Sequence, residues 1–164
     1  MSVAWFTRLY ELNEAGRFDE VIALSKRHLA ARPKDYALHL QRAKALLALG
    51  HFDEARAHVD AAVKFSKALA AWPWFYRAAL HARLGERAPM LEAIATALRL
   101  DPKLHDEFAD SPWFAAAATT RAFRRLVKPT RRRAAQAPVR AATPRRKRPP
   151  ARAPSRAKGR RRAR

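Results

Sequence analysis

The phrase Gly-x-Phe-Asp-Glu is written twice, at Gly16 and at Gly50, and a third glycine, Gly85, follows: the intervals are 34 and 35 residues. Recurrence at a fixed period of this length marks stacked supersecondary units, each unable to bury its apolar face alone. Prolines keep the same register. Pro33 follows Gly16 by 17 residues and Pro102 follows Gly85 by 17, while Lys67 stands at the equivalent place in the middle unit.

Between these marks the apolar residues recur at helical spacing. Before the glycines run Trp5, Leu9 and Leu12; then Leu40, Ala43, Leu46 and Leu47; then Trp74, Ala78, Leu80 and Leu84. After them run Phe18, Val21, Ile22, Leu24 and Leu29; then Phe52, Ala55, Val59 and Val63; then Met90, Leu91, Ile94 and Leu98. Each glycine therefore separates two helices, and can end the first in the left-handed conformation. Asp19 with Glu20, and Asp53 with Glu54, fall in the first turn of the second helix, where the helix dipole favours carboxylates. Pro73 and Pro89 fit first turns, and Pro33 and Pro102 follow helix ends. The repeated phrase is punctuation, and its carboxylates start helices.

These units resemble tetratricopeptide repeats, helix–turn–helix units with a 34-residue period. The first spans about 2–35, with Trp5, Gly16, Phe18 and Pro33 at family positions. The second spans about 36–70, with Ala43, Leu46, Gly50, Phe52 and Ala55. The third spans about 71–104, with Trp74, Ala78, Gly85, Ala97 and the Leu100-Asp-Pro102 ending. Val21 and Met90 stand where Ala55 supplies a small residue, and Arg87 replaces the aromatic after the third glycine, which is expected to loosen the third corner. The resemblance implies an all-α fold, a short right-handed superhelix of three repeats, in a short protein of bacterial type. An array leaves its last apolar face open, and residues 105–127, with Phe108, Trp113, Phe114, Phe123 and Leu126, are read as a helical cap. Asp110 or Ser111 is expected to cap one short helix there, and Thr119 or Thr120 another.

Charge divides the chain in two. Of 164 residues with a net charge of +21, residues 1–127 carry +5 and all fourteen acids, and residues 128–164 carry +16 and none. This terminal segment of Ala, Arg and Pro holds one large apolar residue, Val139, so it is expected to be disordered on its own. The absence of cysteine excludes disulfides, thiolate metal sites and a cysteine nucleophile. The N-terminus lacks the pattern of a secretory signal and no apolar run is long enough to span a membrane, so a cytoplasmic protein is expected.

Catalysis is not expected. The histidines at 28, 39, 51, 58, 81 and 105 form no compact ligand pattern, although His51 and His58 lie two helical turns apart. There is no phosphate-binding glycine loop and no nucleophile elbow, and no metal or cofactor is expected. Two other surfaces remain. In the family, the first helix of each pair lines a concave groove that holds peptides. The resemblance places Phe6, Tyr10 and Asn13 there from the first unit, Leu40, Lys44 and Leu47 from the second, and Trp72, Phe75, Tyr76 and Ala79 from the third. Members that grip a C-terminal carboxylate use a lysine and an asparagine at the places of Phe6 and Tyr10, so that clamp is not implied. An apolar partner segment fits such a lining, and the same side chains fit equally well as packing between helices. The second surface is the tail. Its cations Arg131, Arg132, Arg133, Arg145, Arg146, Lys147, Arg148, Lys158, Arg160, Arg161, Arg162 and Arg164 suit non-specific contact with nucleic acid or another polyanion. With no interleaved aromatic residue there is no stacking platform. The expected protein is thus a non-enzymatic scaffold with a protein partner in the groove and a polyanion on the tail. The alternative is a plain adaptor or assembly factor, at an anionic membrane surface or with an unengaged tail.

Overall fold

The computed structural model describes residues 4–127, and the tail cations at 131–133, 145–148, 158, 160–162 and 164 lie outside the described residues. The described chain is all α. The helices are α1 (Ala4–Glu14), α2 (Phe18–Ala31), α3 (Tyr36–Leu49), α4 (Phe52–Phe65), α5 (Ala71–Leu84) and α6 (Arg87–Leu100), then α7 (His105–Asp110) and α8 (Arg121–Leu126). Helices α1 to α6 form consecutive pairs, each packed on the next, and α3 also packs on both α1 and α5. The result is a helical repeat, with the first helices of the pairs lying side by side.

The glycine corners share one mechanism. Gly50 and Gly85 adopt φ of 82° and 74°. The amide after each glycine donates back five residues, His51 to the Leu46 carbonyl and Glu86 to the His81 carbonyl, both at 2.9 Å. That bond satisfies a carbonyl the helix end would otherwise leave unpaired. The carboxylates of the repeated phrase are engaged locally. Glu20 accepts from Arg17 Nε at 2.5 Å and from Nη2 at 2.7 Å, and Glu54 lies 4.0 Å from His51. Where the middle unit lacks a proline, Lys67 and Ala68 turn the chain with φ of 54° and 57°, a left-handed pair without a glycine. Asp35 starts α3 by accepting from the amides of Ala37 and Leu38 at 3.1 and 3.4 Å.

One apolar cluster joins Leu9, Leu12, Val21, Leu38 and Ala45. A larger one runs from α3 into the last helices and includes Leu46, Leu47, Val59, Phe75, Ile94, Phe108, Phe114, Phe123 and Val127. The third corner is not loosened by Arg87. Met90, Ala93, Ile94 and Ala97 are buried, and Glu86 bridges it by accepting from His81 Nδ1 at 2.5 Å. Residues after Leu100 fold back on the open face of α5 and α6. Asp101 caps a 3₁₀ turn at Pro102–Leu104 by accepting from the Lys103 amide. Ser111 does so for Pro112–Phe114, and Thr120 caps α8 through the Phe123 amide at 3.3 Å. This short-helix segment sets Phe108 and Phe114 against Phe75, with ring centroids at 4.7 and 5.5 Å.

Candidate functional site

Three helices and the fold-back segment enclose a groove of about 820 Å³. From α1 come Phe6, Tyr10 and Glu14. From α3 come Tyr36, Ala37, Leu40, Gln41 and Lys44. Trp72, Phe75 and Tyr76 come from α5, with Ala70 just before it. The opposite wall is Glu107, Asp110, Ser111, Pro112 and Trp113.

The residues expected in the groove separate into three groups. Tyr10 and Trp72 are open, with 52% and 41% of their surfaces exposed, and Phe6 is half-buried. Leu40, Phe75 and Tyr76 reach the groove but are buried, Phe75 being only 3% exposed. They form its floor, and Phe108 and Phe114 of the fold-back segment pack against Phe75. Asn13, Leu47 and Ala79 do not line the groove. Leu47 and Ala79 are fully buried between helices. Asn13 is turned to α3, where its Nδ2 donates to the Gln41 backbone carbonyl at 3.1 Å and to Gln41 Oε1 at 2.8 Å. A buried amide needs such partners, and Asn13 thereby holds Gln41, which lines the groove.

Lys44 is paired within the groove. Its Nζ donates to Glu14 Oε1 at 2.5 Å and lies 5.7 Å from the centre of the Tyr10 ring. Of the four charged lining residues, Glu14, Lys44, Glu107 and Asp110, three are acids, so the groove is more acidic than its sequence reading as apolar with one lysine. Burial raises the Tyr76 hydroxyl pKa above the usual phenol range, and the carboxylates of Glu14 and Glu107, with Tyr10, push it further. Trp72 stacks beside Phe75 and Tyr76, with centroids at 5.3 and 6.3 Å. The chemistry this arrangement offers is recognition: exposed rings beside carboxylates over a rigid apolar floor.

Sequence reasoning missed Tyr36, 40% exposed at the mouth, although it stands one helical turn before Leu40. It also missed the wall from Glu107 to Trp113. No local spacing carries that signal, since the wall exists only through the long-range contacts of Phe108 and Phe114.

The histidines pair differently from the spacing. His58 meets His39 rather than His51, with Nδ1 to Nδ1 at 2.9 Å, and His39 Nε2 donates to the Pro33 carbonyl at 2.9 Å. His39 therefore presents a bare Nδ1, and His58 Nδ1–H donates to it. Burial, Arg42 and His39 together lower the His58 pKa to about 4. Among the described residues no group of three or more His, Asp or Glu is placed to hold a metal ion, and no helix is long and apolar enough to cross a membrane.

Residues 12–84, from the last turn of α1 to the end of α5, match the family model described as Tetratricopeptide repeat. No curated protein and no solved structure matches the chain.

Proposed function

Residues 12–84 make this a tetratricopeptide-repeat chain, and from that premise we propose that it is a non-enzymatic scaffold whose groove holds a segment of a protein partner. Repeats of this family indicate a role in protein–protein interaction. The observation that carries the reading is the open pair Tyr10 and Trp72 above the buried floor of Phe75 and Tyr76. A recognition groove needs exposed anchors on a rigid base, because mobile side chains lose entropy on binding. The test is selection from a displayed peptide library on the full chain, then titration of the selected peptides by calorimetry. Tyr10→Ala and Trp72→Ala should each weaken binding about tenfold or more, as truncated aromatic anchors do. Unchanged affinity in both variants refutes the groove.

The tail is a second element of the proposal. Sixteen positive charges in residues 128–164 favour non-specific contact with nucleic acid or another polyanion in the cytoplasm. Binding to random duplex DNA should then fall steeply with salt, by about 0.9 in log–log slope per phosphate neutralised. A chain ending at Val127 should retain the helical circular dichroism and lose this binding. Failure of the full chain to bind DNA or RNA at low salt removes the tail's role and leaves the groove untouched.

A further inference from the structure

Two features of the chain complement each other. The groove presents rings and carboxylates, whereas residues 1–127 as a whole carry +5, so its acidic lining runs against the average charge of the folded part. Lys44, the cation in the lining, is already paired with Glu14 at 2.5 Å. Glu107 and Asp110 stand on the opposite wall. The tail supplies the counterpart: residues 144–150 read Pro-Arg-Arg-Lys-Arg-Pro-Pro, four cations bounded by prolines. Proline restricts its own backbone and the residue before it to extended conformations, and aromatic-lined grooves take extended proline-bearing segments. Arginine adds stacking on aromatic faces and bidentate pairing with carboxylates.

Connectivity allows the match. Phe123 of α8 stacks at 5.8 Å on Phe114, which meets Phe75 of the groove floor at 5.5 Å. The described chain ends at Val127, one turn beyond Phe123. The eighteen residues from Val127 to Arg145 can span up to about 60 Å, and the fourteen-residue helices along the groove measure about 21 Å.

On the reading of the groove given above, we infer that its occupant in the free protein is the chain's own segment 144–150, bound in cis, where its cations meet Trp72, Tyr10 and Glu107. A partner segment must displace it. Tethering supplies an effective concentration on the order of millimolar, so even a weak contact is populated.

The test uses the full chain. With no cysteine in the sequence, Ala151→Cys carries a single nitroxide, and paramagnetic broadening is read at the Trp72 indole and the Tyr10 amide. Both signals should be lost at low salt and return at about 1 M salt, where screening acts within about 3 Å. They should also return when Arg145, Arg146, Lys147 and Arg148 are all changed to Ala, a variant that leaves the repeats unaltered. Glu107→Gln should give a recovery in the same direction from the groove side. Broadening that the four-alanine variant retains overturns the assignment. So does broadening seen only between copies, in a mixture of isotope-labelled chains with unlabelled nitroxide-bearing ones, which assigns the occupant to a second chain. If a library-selected peptide shifts Trp72 while no broadening occurs in cis, self-docking fails and the groove reading stands. If neither occurs, both fail.

Discussion

Phe75→Ala and Tyr10→Ala are matched perturbations of one groove that should give opposite results. Phe75 is 3% exposed, and its ring lies 4.7 Å from Phe108, 5.3 Å from Trp72, 5.4 Å from Tyr76 and 5.5 Å from Phe114. Removing a ring so enclosed costs the transfer energy and leaves a cavity, together about 3–5 kcal/mol. For a folded unit of this size each kcal/mol moves the melting point by roughly 3–5 °C, so the midpoint should fall by about 10–20 °C. Tyr10 is 52% exposed and its ring centre lies 5.7 Å from Lys44 Nζ. An exposed contact of that kind is worth about 0.5–1 kcal/mol, so Tyr10→Ala should melt within about 5 °C of the parent. Thermal circular dichroism on both variants reads the difference, and titration with a groove-selected peptide reads the function. Tyr10→Ala should bind weakly while folded, and Phe75→Ala should lose binding together with stability. If Phe75→Ala melts like the parent, Phe75 is not the floor and the inferred role of the fold-back segment is wrong.

Leu47→Ala should behave like Phe75→Ala rather than like a groove variant, costing about 2–5 kcal/mol with no effect on peptide affinity in the folded fraction, measured by urea denaturation. Ala68→Gly should stabilise the chain by about 1 kcal/mol, because a left-handed alanine is strained by roughly that amount; a loss of stability in a thermal melt would show that the turn is not left-handed. Acid should weaken the fold in a defined window. His58 is held neutral, its pKa lowered from 6.5 to about 4, so the unfolded chain takes up a proton first as the pH falls. Its contribution is complete above pH 6.5 and is lost between 6.5 and about 4. The shift corresponds to roughly 3 kcal/mol at most, discounted to about 1–2 kcal/mol because the ring is partly exposed. Denaturation midpoints across that range should slope in the parent and flatten in His58→Gln; a parallel slope in both chains assigns the effect to another group.

The repeat frame was legible because its signals are local. A left-handed glycine, acids in a first turn and a proline after a helix end each act within a few residues, so Gly50, Asp53 and Pro33 announce corners without reference to the rest of the fold. Asp35 works the same way, although its cap was missed in the sequence. Groove against core was not legible for the α5 aromatics. Trp72, Phe75 and Tyr76 stand three and one residues apart, and their helical phase puts them on neighbouring faces. What separates an open Trp72 from a buried Phe75 is the packing of Phe108 and Phe114, more than thirty residues away in sequence. Lys44 shows the same limit. Its position in the groove was readable, but its neutralisation by Glu14, thirty residues earlier, was not. His58 chose His39 over His51 because α3 and α4 pack side by side, whereas the helical spacing speaks only of one helix.

The fold-back segment therefore has two consequences. It covers the apolar face left by α6, which an array requires for solubility, and its outer side supplies Glu107 and Asp110 to the groove. A cap of neutral residues would meet the first need equally well. Placing the carboxylates there gives the groove an acidic wall. If segment 144–150 occupies this groove, the residues that contact it are withheld from a polyanion, and a partner entering the groove releases them. Linkage then requires the converse: a polyanion that binds the tail must strengthen partner binding in the groove by the same factor. The scaffold and the tail would thus be two ends of one equilibrium, set by whether the aromatic groove holds its own arginines or those of another segment.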